Sequence, residues 1–240
     1  ADLAAERFVE VQDSTMNTFT LDDDCFAAFV TMSDLTPSAP FDDVSLQVTW
    51  SGWRDGDDEY AQKAFKCLYD RFRTVPGEIC SPLNEMWVGI FPGVSKGIYT
   101  GMLPGYMLHS MTELGHPDAG AAFNMTRQTL SISGDVQEYM VLDNHAGLTL
   151  MYNTNGRVEP SDYTAKYRPW EGGIVLDAVM QYLFGFEPDA NTRSIRLRPH
   201  LPNDWPTFSA TGLRAADDRF DVEVQVTSLG HRVTVTARGT

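Results

Sequence analysis

Two short stretches carry side chains that could cleave a sugar linkage. Ser133-Gly-Asp-Val-Gln-Glu138-Tyr139 and Arg168-Pro-Trp170-Glu171-Gly-Gly together offer two glutamates, two aromatic rings and several glycines. Hydrolysis of a glycosidic bond normally uses two carboxyl groups: one protonates the departing oxygen, and the other activates water or attacks the sugar. Aromatic rings add flat apolar faces for sugar C–H groups. Glu85, Trp87, Tyr99, Asp143, His145, Asp162 and Tyr163, in neighbouring loops, extend the same inventory. Each has a plainer explanation. A single loop glutamate is usually just solvated. Glu171, at the start of a helix, can compensate the amides there. A Trp just before a helix is often a packing anchor, and a lone His such as His145 is more often structural. Glu138 stands out through its setting: it follows Gly134, lies between amide and aromatic neighbours, and belongs to a long segment between two apolar helices.

The elements that must hold these groups follow from periodicity. Glu59 to Val75 places Tyr60, Ala64, Cys67, Leu68 and Phe72 at helical spacing, and Pro76-Gly77 stops it. A second helix is expected from about Gly97 to Leu114, regular from Pro104 onward. A third runs from about Pro117 to Ser131, with Pro near its first position. The turn between these two is so short that they should pack antiparallel. Glu171 to Phe184 forms a further helix, with Ile174, Val175, Ala178, Val179 and Tyr182 on one face and Gly185 as its cap. Between the third helix and this one lies an irregular polar segment, Ser133 to Pro169, of a length that usually marks function. Nearer the N-terminus, Arg7-Phe-Val-Glu-Val-Gln alternates like a strand, and Leu21 to Ser33 reads as a buried helix begun by Asp22-Asp-Asp. After Pro188 the period changes. Ile195 and Leu197, then Phe220, Val222, Val224 and Val226, then Val233 and Val235 alternate with polar residues, as half-exposed antiparallel strands do.

Composition bounds the partners. With 18 basic against 33 acidic residues and a net charge of −15, the surface repels phosphate backbones, so no nucleic-acid partner is expected. No apolar run is long enough to span a membrane. Residues 1–10 have neither a basic n-region nor an apolar core and do not read as an intact signal peptide. Cys25, Cys67 and Cys80 have no CxxC spacing, which argues against a zinc site and leaves both a disulfide and free thiols open.

Three passages then point to a family. Arg168-Pro-Trp-Glu-Gly-Gly-Ile-Val-Leu-Asp-Ala, Tyr182-Leu-Phe-Gly-Phe-Glu-Pro-Asp-Ala and Ile195-Arg-Leu-Arg-Pro-His-Leu-Pro-Asn-Asp-Trp205 resemble the C-terminal end of the six-hairpin glycosidases. That superfamily includes glucoamylases, α-L-rhamnosidases, trehalases and processing glucosidases. Residues 97–205 carry most of the likeness. It implies a mainly α chain: helical hairpins of an (α/α)6 toroid, incomplete here, over 1–187, followed by a C-terminal antiparallel β segment over 188–240. It also implies an inverting hydrolase acting on an oligosaccharide or polysaccharide, with no metal or organic cofactor. Glu138 occupies the position of the family's general base, in the loop before the last barrel helix. The family's general acid lies on an earlier hairpin; Glu85 is the candidate in this chain, and a second chain completing the barrel could supply it instead. Trp87, Tyr99, Tyr139, His145, Tyr163 and Trp170 would line the sugar subsite, and Glu171 would bind substrate or support those that do.

Two other readings compete. A polysaccharide lyase on the same barrel would use Tyr139, His145 or Tyr163 as base. A non-catalytic carbohydrate-binding or assembly subunit would need no complete site.

Overall fold

The computed structural model describes residues 2–21, 46–52, 56–75, 78–79, 98–128, 139–142, 150–151, 169–189, 194–202, 204–215 and 217–238, with single positions 25, 27, 31, 33, 34, 36, 37, 136, 191 and 192. The central element is a helix whose residues are mostly apolar. Leu103–Glu113 buries Leu103, Pro104, Gly105, Tyr106, Met107, Leu108, Ser110 and Met111. Such a helix needs neighbours on every side.

In chain order the helices are α1 (Asp2–Phe19), α2 (Gln47–Trp50), α3 (Glu59–Phe72), α4 (Leu103–Glu113), α5 (Ala119–Gln128) and α6 (Pro169–Phe184). Asp58 caps α3, its carboxylate accepting the amides of Tyr60 at 2.8 Å and Ala61 at 3.3 Å. The helix ends at Phe72, three residues short of the expected Val75. Arg73–Val75 instead forms β1, paired with β2 (Glu78–Ile79), because Thr74 and Val75 are β-branched and the residue before Pro76 is pushed out of the helical region. Tyr69 fastens α3 to the turn after α4 by donating its hydroxyl to Asp118 at 2.7 Å.

Three helices form an up-down-up set. The Thr126 hydroxyl of α5 donates to the Pro104 carbonyl at the start of α4, while residues 114–118 turn the chain at the other end. The two are therefore antiparallel, as expected. Gly105 near the start of α4 lies against Ile174 near the start of α6; a Cβ on Gly105 would sit 2.7 Å from Ile174 Cγ2. At the far ends, Gln181 hydrogen-bonds Glu113. So α6 runs parallel to α4. Gly185, at φ +53°, caps α6 through its amide to the Gln181 carbonyl at 2.7 Å.

Several expectations are corrected. Arg7 to Gln12 is part of α1, not a strand: Ala4, Ala5, Glu6, Glu10 and Gln12 favour helix around the alternating core of the stretch. The expected helix from Leu21 to Ser33 is absent at its described positions. Leu21 bonds the Cys25 carbonyl and Ala27 bonds the Phe19 carbonyl, both at 2.8 Å, and Cys25 is bridged to Cys67 of α3 with Cα atoms 5.5 Å apart. This tie folds the segment back against α3. The Gly97 helix start gives way to β3 (Ile98–Thr100), a β-branched and aromatic triplet. Residues 129–131, expected in the third helix, lie outside the described residues.

The C-terminal part is β structure, as expected. β6 (Glu187–Asp189) and β7 (Ser194–Arg196) form a hairpin, and β8 (Thr207–Ala215), β9 (Asp218–Thr227) and β10 (Gly230–Arg238) form an antiparallel meander in the order β10-β9-β8. β9 alternates as the sequence indicates, with Phe220, Val222 and Val224 buried. β10 is exposed at every position, so Val233 and Val235 lie on an open edge. β8 was not anticipated. Helices hold somewhat under half of the described residues, so "mainly α" is met only in part. One apolar core joins both parts. Phe123 stacks on Tyr182 at 4.8 Å and meets Trp205 edge-on at 5.6 Å, while Phe184 of α6 packs on Phe208 of β8 at 4.9 Å. No helix among the described residues is long and apolar enough to cross a membrane.

Two stability tests follow. Gly105→Ala forces a methyl group into the Ile174 backbone, and after its gain in helix propensity it should destabilise the chain by about 1–2 kcal/mol in a denaturant melt. Cys67→Ser, which opens a 42-residue separation, should cost on the order of 2–4 kcal/mol, and reductant should bring the wild type down to the same level.

Candidate active site at the helix N-termini

Parallel packing puts the first turns of α4 and α6 side by side. Helix N-termini leave several amides without partners inside the helix and carry partial positive charge, so this end of the molecule favours acidic and polar groups. Met102, at the N-cap of α4, offers no side-chain cap. β3 leads into α4 through Gly101 and Met102 alone, and it pairs with β4 (Tyr139–Leu142): Tyr99 faces Met140, Thr100 faces Tyr139 and Ile98 faces Val141. β4 in turn pairs with β5 (Leu150–Met151). The long polar segment before α6 thus returns to the start of α4 and is fastened there by a strand. Tyr139–Leu142 thus forms a strand within a stretch expected to be irregular.

Of the predicted site residues, the structure gathers Tyr99 on β3, Tyr139 on β4, and Trp170 and Glu171 in the first turn of α6 at this one end. The last two differ in setting. Glu171 is fully buried, and Trp170 beside it is 60% exposed. Trp170 therefore presents a ring to anything approaching this end. Glu171 is shielded at the positive end of the helix, which suits a residue that fixes the helix start rather than one that meets solvent. Glu138, Glu85, Trp87, His145 and Tyr163, with Asp143 and Asp162, lie outside the described residues. Glu138 is the residue immediately before Tyr139 in the chain.

The opposite end of α4 holds a cavity that the sequence reading missed. It holds about 520 Å³ between α2, the turn before α3, α4, and the β6–β7 hairpin with the residues just after it. His109 and Glu113, one helical turn apart on α4, line one wall, and Glu187, Arg196 and Arg198 line the other. Glu187 is held between the two arginines, at 2.9 Å from Arg196 and 3.4 Å from Arg198. Trp50 of α2 meets Tyr106 edge-on at 5.0 Å. Gly56 lies against the Glu113 backbone so closely that any side chain there would collide with it. Burial pushes the His109 imidazole below its ordinary pKa, against the opposing pull of Asp177 and Glu113. The available signal was His109 and Glu113 at i and i+4 in an otherwise apolar helix. Among the described residues no group of three His, Cys, Asp or Glu side chains is placed to hold a metal ion.

Comparison with protein-family models and with curated proteins finds no match to this chain.

A histidine that binds protons less readily when folded makes the native state hold fewer protons than the unfolded chain. Stability is then lost as pH falls below about 6.5, the unfolded value. The wild-type melting temperature should drop more between pH 7 and 5.5 than that of His109→Gln. Equal drops would remove His109 as the source.

Proposed function

We propose that this chain is part of an (α/α)6 glycoside hydrolase of the six-hairpin kind, cleaving a glycosidic bond with inversion. The observation that carries the reading is the β3–β4 ladder. It fastens the segment that begins at Tyr139 beside the first turns of α4 and α6, and Glu138 is the adjoining residue. Alternation of α4, α5 and α6 supports it too, since parallel helices separated by an antiparallel one are the repeating unit of such a toroid. So does the outer face of α6, where Leu176 is 62% exposed. A helix apolar on nearly all sides is built to be covered, and the remaining hairpins of a toroid would cover it.

In this reading Glu138 takes a proton from water as the oxygen attacks the anomeric carbon. The glycosidic C–O bond breaks, and an acid protonates the leaving oxygen. Glu85 or a residue of another chain supplies that proton. The two carboxyl groups of an inverting pair stand about 6.5–9.5 Å apart, which leaves room for the water. Trp87, Tyr99, Tyr139, His145, Tyr163 and Trp170 contribute ring faces and hydrogen bonds to the sugar, and Glu171 holds the entrance of α6 in place.

Glu138→Gln keeps the shape and removes the base. Release of reducing sugar should fall by about 10²–10⁴. Retention of most activity would sink the assignment. Products that absorb as unsaturated uronides would move the reaction to a lyase with a tyrosine or histidine base.

A further inference from the structure

We propose that the cavity at the C-terminal end of α4 is a separate, non-catalytic subsite for one or two neutral sugar residues. It stands apart from the acid–base reading. Leu103 and Glu113 bound α4, and ten residues at 1.5 Å each separate the two ends by roughly 15 Å.

Size is the first argument. About 520 Å³ falls within the range of small-ligand pockets. The second argument is the kind of lining. Polar groups dominate it, which disfavours an apolar ligand. Carboxylates from Asp57, Glu113 and Glu187 face two guanidinium groups, from Arg196 and Arg198. With the His109 imidazole neutral, the wall carries no excess of positive charge, so phosphates and uronates gain nothing there. A cluster of donors and acceptors of both signs is matched best by vicinal hydroxyls, each of which donates and accepts.

The third argument is the arrangement of the lining. Glu187 contacts both Arg196 and Arg198, so one carboxylate gathers the two guanidinium groups on the same wall. Trp50, half-buried and fixed by Tyr106, adds the apolar ring that sugar C–H groups need. The fourth is His109. Its Nδ1 is shielded from solvent and makes no hydrogen bond among the described residues. A buried polar nitrogen in that condition is costly to fold, and a ligand in the cavity that His109 lines would reach it only after a small shift of the imidazole.

Ligand-observed NMR with methyl glycosides of neutral hexoses tests the proposal, with glucuronate and inorganic phosphate as comparators. The proteins are the wild type, Glu138→Gln, Arg198→Ala and Asp57→Asn. Arg198 and Asp57 are exposed enough for their replacements to fold, and a melt checks each. At least one neutral glycoside should bind the wild type and Glu138→Gln equally. Arg198→Ala and Asp57→Asn should each weaken that binding by about ten-fold or more. If one variant does not fold, the other decides. The proposal is overturned if no neutral glycoside binds, if glucuronate or phosphate binds in preference, or if binding survives in the folded variants. It is also overturned if Glu138→Gln alone abolishes binding, which would place the sugar at the other end. Hydrolysis by Glu138→Gln bears only on the acid–base reading, so the two ideas fail separately.

Discussion

Close approach of two helix backbones at Gly105 and Ile174 governs the rest of the architecture. Any side chain larger than hydrogen at position 105 would hold α6 away from α4. Contact at this depth lets Ile174 and Ala178 join Leu103, Tyr106 and Met107 in one apolar cluster. It also fixes direction, because the contact falls near the start of both helices. Their first turns must then lie together, and with them the residues that the chain places just before and just inside those turns. Parallel helices cannot be joined by a tight turn. An antiparallel α5 and a long return are therefore required, and the return is the polar segment that carries the candidate base.

The β part is held by α6 rather than by an independent core. Gly185 turns the chain at a positive φ, and the segment after β7 runs back along the helix end, with Arg198 donating to the Phe184 carbonyl at 2.8 Å and His200 to the Tyr182 carbonyl at 3.1 Å. Phe184 then packs on Phe208, and Phe186 on Phe220. A substitution at the last turn of α6 is therefore felt in the meander. The same attachment brings β6 and β7 against α4, which creates the cavity. Neither helices nor sheet would enclose it alone.

What could be foreseen from sequence follows from how local each signal is. α3, α4 and α6 announced themselves because apolar spacing and a glycine at position 185 are short-range features. The strand expected at Arg7 and the helix expected after Asp22 failed because short alternating or apolar runs suit either structure. Tertiary ties then decide: the bridge from Cys25 to Cys67 joins residues far apart in the chain. The candidate catalytic end was partly visible, since Trp170 and Glu171 sit together at a helix start. The cavity was not, because its lining is drawn from α2, the turn before α3, α4, and the β6–β7 hairpin with the residues just after it. Alternation at Ile195 and Leu197 pointed to a strand, but nothing in that pattern says that the intervening arginines face an α4 histidine.

The two ends of α4 differ in kind, and the difference is physical. At the first turns of α4 and α6, helix dipoles favour negative charge, which fits the burial of Glu171 there. At the last turn of α4 the dipole reverses. Glu113 there is disfavoured by its own helix, and Gln181 hydrogen-bonds it. The two ends therefore offer different surroundings, with a helix buried over Leu103–Leu108 and at Ser110 and Met111 running between them.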